Sequence, residues 1–392
     1  MIIGTTLAQA QERMSLEKFL KLVQEKNLDL KVDAAKSDAA SARAIGVNIP
    51  PPVVSFNHMK MDMGDSANGF EVSQAIPFPT KLSSNSSARK YEAKAQQEIR
   101  LSQEKEILAQ GKLFYFSLWE NQEKISLMEE KKKILEDHIM LSRSSARSDS
   151  FAAIHVLKAE SDLDLLDNEI ELANQLVREA QLKVASFLNE DPVHFQIIAE
   201  EPTLSPIPQI TSAEDSHQVQ ALNFNLESFK AKEFEAKSSW LPDINLSYKE
   251  MGATTAIPRY NEIMVGVTLP FIFFWEPYAA SKSASAERMQ AQVELEKQKR
   301  NIDVERVTLL SKVESLKKQI LILKKKAIPR VEKRMKLVHN LAPRDMETLQ
   351  DHRETMEALP ELKMKALEFR HEYEQAISTL EKYVSEKGLS HE

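Results

Sequence analysis

Three methionines at alternate positions, Met59, Met61 and Met63, are the residues whose type and spacing most suggest chemistry. This spacing places their side chains on one face of a β-strand, and thioether sulfur is a soft ligand that suits Cu(I). Methionine that merely fills the face of a strand gives the same pattern. We therefore treat the three residues as weak candidates for metal contact and predict no firm metal site.

The sequence contains residue types that can catalyse reactions, such as histidine, but it does not place them in the spacing of a known catalytic or metal site. The nine histidines are scattered, and no two of them form the H-x-x-x-H spacing of a helical metal site. No glycine-rich phosphate loop occurs. Cysteine is absent, which excludes disulfides, thiol catalysis and thiolate metal sites. The sequence thus predicts neither an enzyme nor a resident cofactor.

The composition indicates which elements hold these side chains. Of the 392 residues, 28% are charged, 42% are hydrophobic and only 8 are glycine, which is typical of long helices. No run of 18 apolar residues occurs, so we expect no transmembrane helix. A net charge of −7 without a basic stripe argues against a nucleic-acid partner.

The chain repeats its organisation at a period of roughly 190 residues. Each half has a helix, a proline-containing break, two short alternating segments, a very long helical tract and a second long helix. Near the N-terminus, the residues Ala8-Gln9-Ala10 fit the small-residue pattern of a signal-peptide cleavage site. We expect a signal-peptide remnant at 1–10, a first repeat at 11–200, a linker at 201–213, a second repeat at 214–386 and a tail at 387–392.

Apolar residues alternate with polar residues in the short segments, which is typical of half-buried strands. Ile244, Leu246 and Tyr248, for example, alternate with polar neighbours. Gly, Asn, Asp and Pro between the segments favour hairpin loops. The predicted strands lie at about 52–63, 69–78, 242–251 and 262–272.

The helical tracts are longer than those of ordinary globular domains. From Leu82 to about Ser145 there is no proline, and at 1.5 Å per residue this tract extends roughly 95 Å. Apolar residues step by three and four through 156–187 and 309–323, which favours coiled-coil packing. Because a four-stranded sheet leaves unsatisfied edges, we expect a trimer whose strands close a 12-stranded barrel.

Six segments in order, spread over roughly residues 15–385, resemble the TolC-type family of outer-membrane efflux proteins. One, around "SQAIPFPTKL", is closest to the heavy-metal cation branch of that family, with Thr80 in place of its Gly. Another ends at Asn189, where the family has Gly. The segments are "SLEKFLKLVQEKNLDL", "VSQAIPFPTKL", "LKVASFLNEDP", "WLPDINLSY", "VGVTLPF" and "ILKKKAIPRVEKRMKLV".

The resemblance implies a mainly α-helical chain with a small β-barrel portion. It implies a homotrimer, with the barrel in the bacterial outer membrane and an α-helical tube in the periplasm. It also implies a passive exit duct in a tripartite efflux system, with a periplasmic adaptor and an inner-membrane pump of the resistance-nodulation-division type. Metal cations are one candidate cargo. The alternative is a structural or adaptor-like periplasmic coiled-coil protein.

In such a barrel one face of every strand contacts lipid. Trp275 and Tyr278 follow the last strand and suit the membrane–water interface. The residues expected to face lipid are Val54, Phe56, Ile244, Leu246, Tyr248, Val265, Val267, Leu269 and Phe271.

The resemblance also locates the periplasmic tip, where the long helices reverse. The family usually has Tyr-x-x-Gly there, whereas this chain has Ala-x-x-Asp twice, ending at Asp149 and Asp345. Crowded carboxylates attract cations in a narrow pore, and Arg147 and Arg344 are placed to pair with them. The alternative is that these are ordinary solvated turn residues. The departure also puts docking of an adaptor by the usual mode in doubt.

Overall fold

The computed structural model describes residues 12–60, 65–146, 150–209, 212–255, 257–339 and 346–384. The first half of the chain contains β1 (Glu12–Met14), α1 (Leu16–Lys26), α2 (Leu28–Arg43), β2 (Val53–Lys60), β3 (Ser66–Ile76), α3 (Pro79–Ala146), α4 (Ser150–Phe187) and β4 (Ile197–Ala199). The second half contains α5 (His217–Lys237), β5 (Ile244–Met251), β6 (Tyr260–Val267), α6 (Trp275–Ile322), α7 (Ile328–His339) and α8 (Met346–Glu381).

The elements pack into two compact units that both draw on the two halves of the sequence. Unit 1 comprises Met1–Lys31, Gln103–Thr211 and Asp303–Glu392. Unit 2 comprises Val32–Ser102 and Ser212–Ile302. The sequence repeat is therefore visible in the order of helices and hairpins, while the compact units cut across it.

The core of unit 1 forms around α1, α3 and α4. Phe19, Tyr115 and Val184 are fully buried in it. The Tyr115 hydroxyl donates to the backbone carbonyl of Met14 at 2.7 Å and contacts that of Glu200 at 2.9 Å. This hydroxyl ties the core to a small parallel sheet, since β1 pairs with β4.

Strand β4 gives the proline-rich segment after α4 a short buried element that the sequence pattern did not predict. Ile197 and Ala199 are buried, and a three-residue strand leaves no periodic signal in a proline-rich stretch. The turn that ends α4 contains Asn189 with φ of 55°. Asn tolerates this left-handed conformation, which explains how it stands where the resembled family has Gly.

The heptad pattern of α4 correctly marks its buried side. Ala159, Leu166, Ala173 and Ala180 lie seven residues apart and are all buried. The equivalent row on α6 packs with α8 in a second cluster of unit 1, which includes Val313 and Ile377.

A wider helical turn, Leu323–Ala327, separates α6 from α7. Pro329 is the second residue after it. Proline has no N–H, and its ring clashes with the carbonyl four residues earlier. Opening the backbone by one residue per turn relieves this clash, so the helical path continues through the proline.

Unit 2 contains a four-stranded antiparallel sheet in the order β2-β3-β5-β6. Both predicted hairpins form, and they pair with each other through β3 and β5. Strand β6 ends at Val267, before the expected limit of 272. Leu269 and Phe271 are therefore not strand residues: Pro270 starts a short 3₁₀ helix, Pro270–Phe273, because it has no N–H to continue the ladder.

Among the described residues, no helix combines the length and the apolar character that crossing a membrane requires.

Candidate functional site

One face of the sheet in unit 2 is mainly apolar at the end where β2 begins and β6 ends. Directly opposed residues of an antiparallel pair lie on the same face, so the register decides which residues share it. Val54 opposes Val72, Val72 opposes Tyr248, and Tyr248 opposes Ile263. The apolar residues of this face are Val54, Phe56, Phe70, Val72, Ile76, Ile244, Leu246, Tyr248, Ile263, Val265 and Val267. Gln74 lies among them, and the face becomes polar toward the hairpin loops, with His58, Lys60, Ser66, Asn68, Glu250 and Asn261.

The register brings together all seven strand residues that the sequence assigned to a lipid-facing surface. Most of these side chains are exposed, and Phe56 exposes 90% of its surface. Phe70, Val72, Ile76 and Ile263 belong to the same face but were not among the residues predicted to face lipid. An exposed apolar surface of this extent needs a cover.

The opposite face is mainly polar, although Val53, Met251, Tyr260 and Met264 also lie on it. Ser55 opposes Glu71, Glu71 opposes Lys249, and Lys249 opposes Glu262. Met59 lies on this face opposite Ala67 and is exposed. Met61 and Met63 lie outside the described residues, so the proposed methionine row stays a prediction.

A polar network fastens the end of the sheet where β3 and β6 finish. The Lys81 ammonium donates to the Asp243 carboxylate and to the Leu241 carbonyl, both at 2.9 Å. The same carboxylate accepts from the backbone N–H of Phe78 at 2.9 Å. The Asp243 N–H donates to the Thr268 hydroxyl at 2.7 Å. One aspartate thus joins the two strand-to-helix corners.

Aromatic side chains crowd the corner between β6 and α6. Trp275 contacts Phe273 and Phe274 edge-on, with ring centroids 5.5 and 5.4 Å apart. These three rings and Tyr278 are more than half exposed. The predicted interfacial pair, Trp275 and Tyr278, is therefore accessible from outside the chain.

Asp149, Asp345, Arg147 and Arg344 lie outside the described residues. In unit 1, the described helices on either side of these residues carry matching ion pairs. Arg143 pairs with Glu160 across α3 and α4, and Arg334 pairs with Asp351 across α7 and α8. Each pair has the same 17-residue separation.

A third ion pair joins the two helical hairpins of unit 1. The Arg353 guanidinium on α8 donates to Asp162 on α4 at 2.9 Å and to Glu357 at 2.8 Å. Asp162 and Arg353 are 191 residues apart, the same interval that separates Arg143 from Arg334. Equivalent positions of the two repeats therefore contact each other. The internal repeat was the only sequence signal for this pair.

The architecture matches solved outer-membrane channels. The open-state MtrE channel of Neisseria gonorrhoeae superposes with a TM-score of 0.80 at 16% identity, covering 94% of this chain and 88% of that one. CusC, whose crystal structures concern conformational changes during folding and transmembrane channel formation, superposes with a TM-score of 0.79 at 12% identity. The match covers 93% of this chain and 90% of that one. The CmeC outer-membrane channel of Campylobacter jejuni superposes with a TM-score of 0.76 at 13% identity, covering 94% of this chain and 85% of that one.

This chain has the TolC-type outer-membrane channel fold. No protein-family model and no curated protein matches its sequence. At such low identity the channel fold is what the likeness establishes, and the roles of individual residues rest on their own contacts.

Within this channel fold, unit 1 buries a charged cluster that sequence analysis missed. Glu374 on α8 is fully buried and accepts from the Ser205 N–H at 3.1 Å. Burial raises the pKa of its carboxyl group, against the opposing effects of Ser205, Arg370 and Lys112. Arg370 pairs with Glu201 and lies over the Trp119 ring at 4.6 Å. The cluster fixes the segment after β4 to α8.

A cavity of about 370 Å³ lies between α3, α4 and α8 of unit 1, lined by His138, Asp162 and Arg353 among others. Its charged residues are of mixed sign, and Arg353 is already paired with carboxylates. Across the described part of the chain, no three His, Cys, Asp or Glu side chains are grouped for metal binding.

Proposed function

We propose that the protein is the outer-membrane channel of a tripartite efflux system and has no enzymatic activity. Three copies pair β6 of one with β2 of the next and close a 12-stranded barrel in the outer membrane. The helices form a periplasmic tube, and cargo passes from an inner-membrane pump through a periplasmic adaptor protein. Metal cations are a candidate cargo, from the sequence resemblance alone.

The observation that supports this proposal is the two-faced sheet with free edges. Within the described residues, β2 and β6 each pair with a strand on one side only. Unpaired backbone groups cannot remain in a bilayer, where water does not satisfy them. Closing the sheet on copies of itself satisfies both edges and directs the apolar face to lipid and the polar face to an aqueous lumen.

The matched test uses two adjacent residues of β6. Val265 lies on the apolar face and Met264 on the polar face, and both are exposed in the single chain. Val265→Arg should cost about 2–4 kcal/mol of folding free energy in the membrane if it lies near the midplane. Met264→Arg, which places the charge in the lumen, should cost much less.

The measurement is urea unfolding of the protein from lipid vesicles, together with the amount of heat-modifiable trimer in outer-membrane extracts. Thr268 is a poorer control, because its hydroxyl already binds Asp243. Equal losses for the two arginine variants would contradict the assigned faces. Recovery of the parent chain as a soluble monomer from the periplasm would favour the structural or adaptor-like alternative.

A further inference from the structure

An exposed apolar turn lies shortly before β2 in unit 2. Ile45, Val47 and Ile49 alternate along it, and Ile45 exposes 79% of its surface. Three prolines, Pro50–Pro52, separate this turn from the first strand residue. We call the three apolar residues the β2 patch.

Hydrogen bonds hold this turn in place. Gly46 has φ of 75°, a conformation that residues with a Cβ rarely adopt. The Arg89 guanidinium on α3 donates to the carbonyls of Arg43 at 2.9 Å and Gly46 at 3.2 Å. Gln74 donates to the Pro50 carbonyl at 2.6 Å. The exposed apolar side chains are therefore presented by a tethered backbone.

A second exposed apolar cluster lies beyond the end of β6, separated from it by four residues. Ile272, Phe273 and Phe274 are each more than half exposed, and we call them the β6 patch. In this antiparallel sheet, the start of β2 and the end of β6 lie at the same end. They belong to opposite edges, however, about 14 Å apart at three strand spacings.

Neither strand can extend its backbone pairing toward these patches. Pro50–Pro52 has no N–H groups to donate before β2, and Pro270 interrupts the chain after β6. The proline carbonyls can still accept single hydrogen bonds, but a regular ladder stops here, so side chains make most of the contact between the two edges at this level. Each free edge has an apolar patch at the point where its hydrogen bonding stops.

We propose that the β2 patch of one copy packs against the β6 patch of the next copy and forms an apolar seam below the barrel. The seam rests on the proposed function, because closing the barrel brings β6 of one copy to about 4.8 Å from β2 of its neighbour. The two patches then become adjacent. Burying them contributes association free energy where the backbone ladder has ended.

The absence of cysteine makes the seam directly testable by cross-linking. The variant Val47→Cys with Phe273→Cys should shift most of the protein to a covalent trimer on a denaturing gel after treatment with a short thiol-to-thiol reagent. The matched control is Val47→Cys with Val293→Cys. Val293 is also exposed, but it lies 20 residues along the chain from Phe273, roughly 30 Å of helix.

A third variant separates failure of the seam from failure of the proposed function. Ser55→Cys on β2 with Met264→Cys on β6 places both thiols on the polar face and reports pairing of the two strands. If the Ser55→Cys, Met264→Cys variant cross-links and the Val47→Cys, Phe273→Cys variant does not, the seam is refuted and the proposed channel function still stands. Cross-linking of neither pair overturns both.

The alternative is that these patches contact lipid instead of a neighbouring copy of the chain. A fluorophore on Val47→Cys should be shielded from brominated phospholipid in the trimer. Strong quenching together with an absent seam cross-link would show that the turn enters the bilayer, and it would overturn the proposal. Replacing Ile45 and Val47 with Ser should lower the temperature at which the detergent-resistant trimer dissociates, whereas Val293→Ser should leave it unchanged.

Discussion

Glu374 shows how one buried side chain couples the stability of unit 1 to pH. Its carboxyl group is enclosed by α8 and the segment around Ser205, and burial disfavours its charged form. Because the folded-state pKa lies above the ordinary value of 4.5, the folded protein holds this proton more tightly than the unfolded chain does. Folding stability at this site therefore falls as pH rises through the folded-state pKa.

We expect Glu374→Gln, which keeps the size and has no proton to lose, to remove this dependence. The difference in melting temperature between variant and parent should grow in favour of the variant as pH rises from about 4.5. Circular dichroism of the detergent-solubilised protein across this range makes the measurement. Glu368→Gln, on an exposed position of the same helix, is the control. A difference that stays constant with pH would refute the assignment.

Individual contacts were the least predictable feature of the candidate site. Alternation was enough to assign Val54 and Leu246 to one face, because a strand exposes every second residue on the same side. The Lys81–Asp243 pair joins residues 162 positions apart. A single lysine and a single aspartate carry no signal of such a contact until the sheet register is known.

Gly111, in the middle of the long helix α3, lies where neighbouring helices pack close to its backbone. It is the only glycine of α3, and a Cβ built on it meets Phe187 at 3.2 Å and Val23 at 3.5 Å. The glycine thus allows α1, α3 and the end of α4 to pack closely in the core of unit 1. Glycine elsewhere in a helix would only weaken it.

Gly111→Leu should destabilise unit 1, because the larger side chain must displace the Phe187 ring. The expected cost is about 1–3 kcal/mol, as for other overpacked cores. Gln110→Leu adds the same side chain at the neighbouring exposed position and should be nearly neutral. Denaturant unfolding followed by the loss of helical signal compares the two. Equal stability of both variants would mean that the helices separate readily at this contact.

Elements with a long repeating pattern were predicted well, and short ones were not. The tract from Leu82 to Ser145 lies within α3, and the buried row on α4 follows the heptad spacing. Strands β1 and β4 have only three residues each, too few to show a period. The end of β6 was misplaced because an apolar run continues past Val267, while the backbone turns at Pro270.

At the scale of the whole molecule, three ion pairs of unit 1 bear on how charge would act in the proposed channel. Arg143–Glu160 and Arg334–Asp351 brace each helical hairpin, and Arg353–Asp162 links one hairpin to the other. Exposed pairs of this kind contribute little stability individually. Asp149 and Asp345 lie outside the described residues, and their place at a periplasmic entrance stays a prediction from the sequence.

If Asp149 and Asp345 ring that entrance in a trimer, the parent channel should be cation-selective. Changing both to Asn keeps the size and turn preference but removes two carboxylates from every copy. Reversal potentials in planar bilayers under a salt gradient should then move toward zero. Divalent cations should block the parent from the periplasmic side and block the double variant much less. Conductance of the variant should rise if Arg147 or Arg344 held the tip closed.

A matched variant decides whether the turns themselves carry this effect. Asp162→Asn removes a carboxylate from a described helix of the same unit and should leave the selectivity nearly unchanged. The selectivity of the parent should also shrink at molar salt, where screening falls to about 3 Å. Unchanged selectivity and unchanged divalent block in the Asp149→Asn, Asp345→Asn variant would identify these residues as solvated turns, because a charged constriction must respond when its own charges are removed.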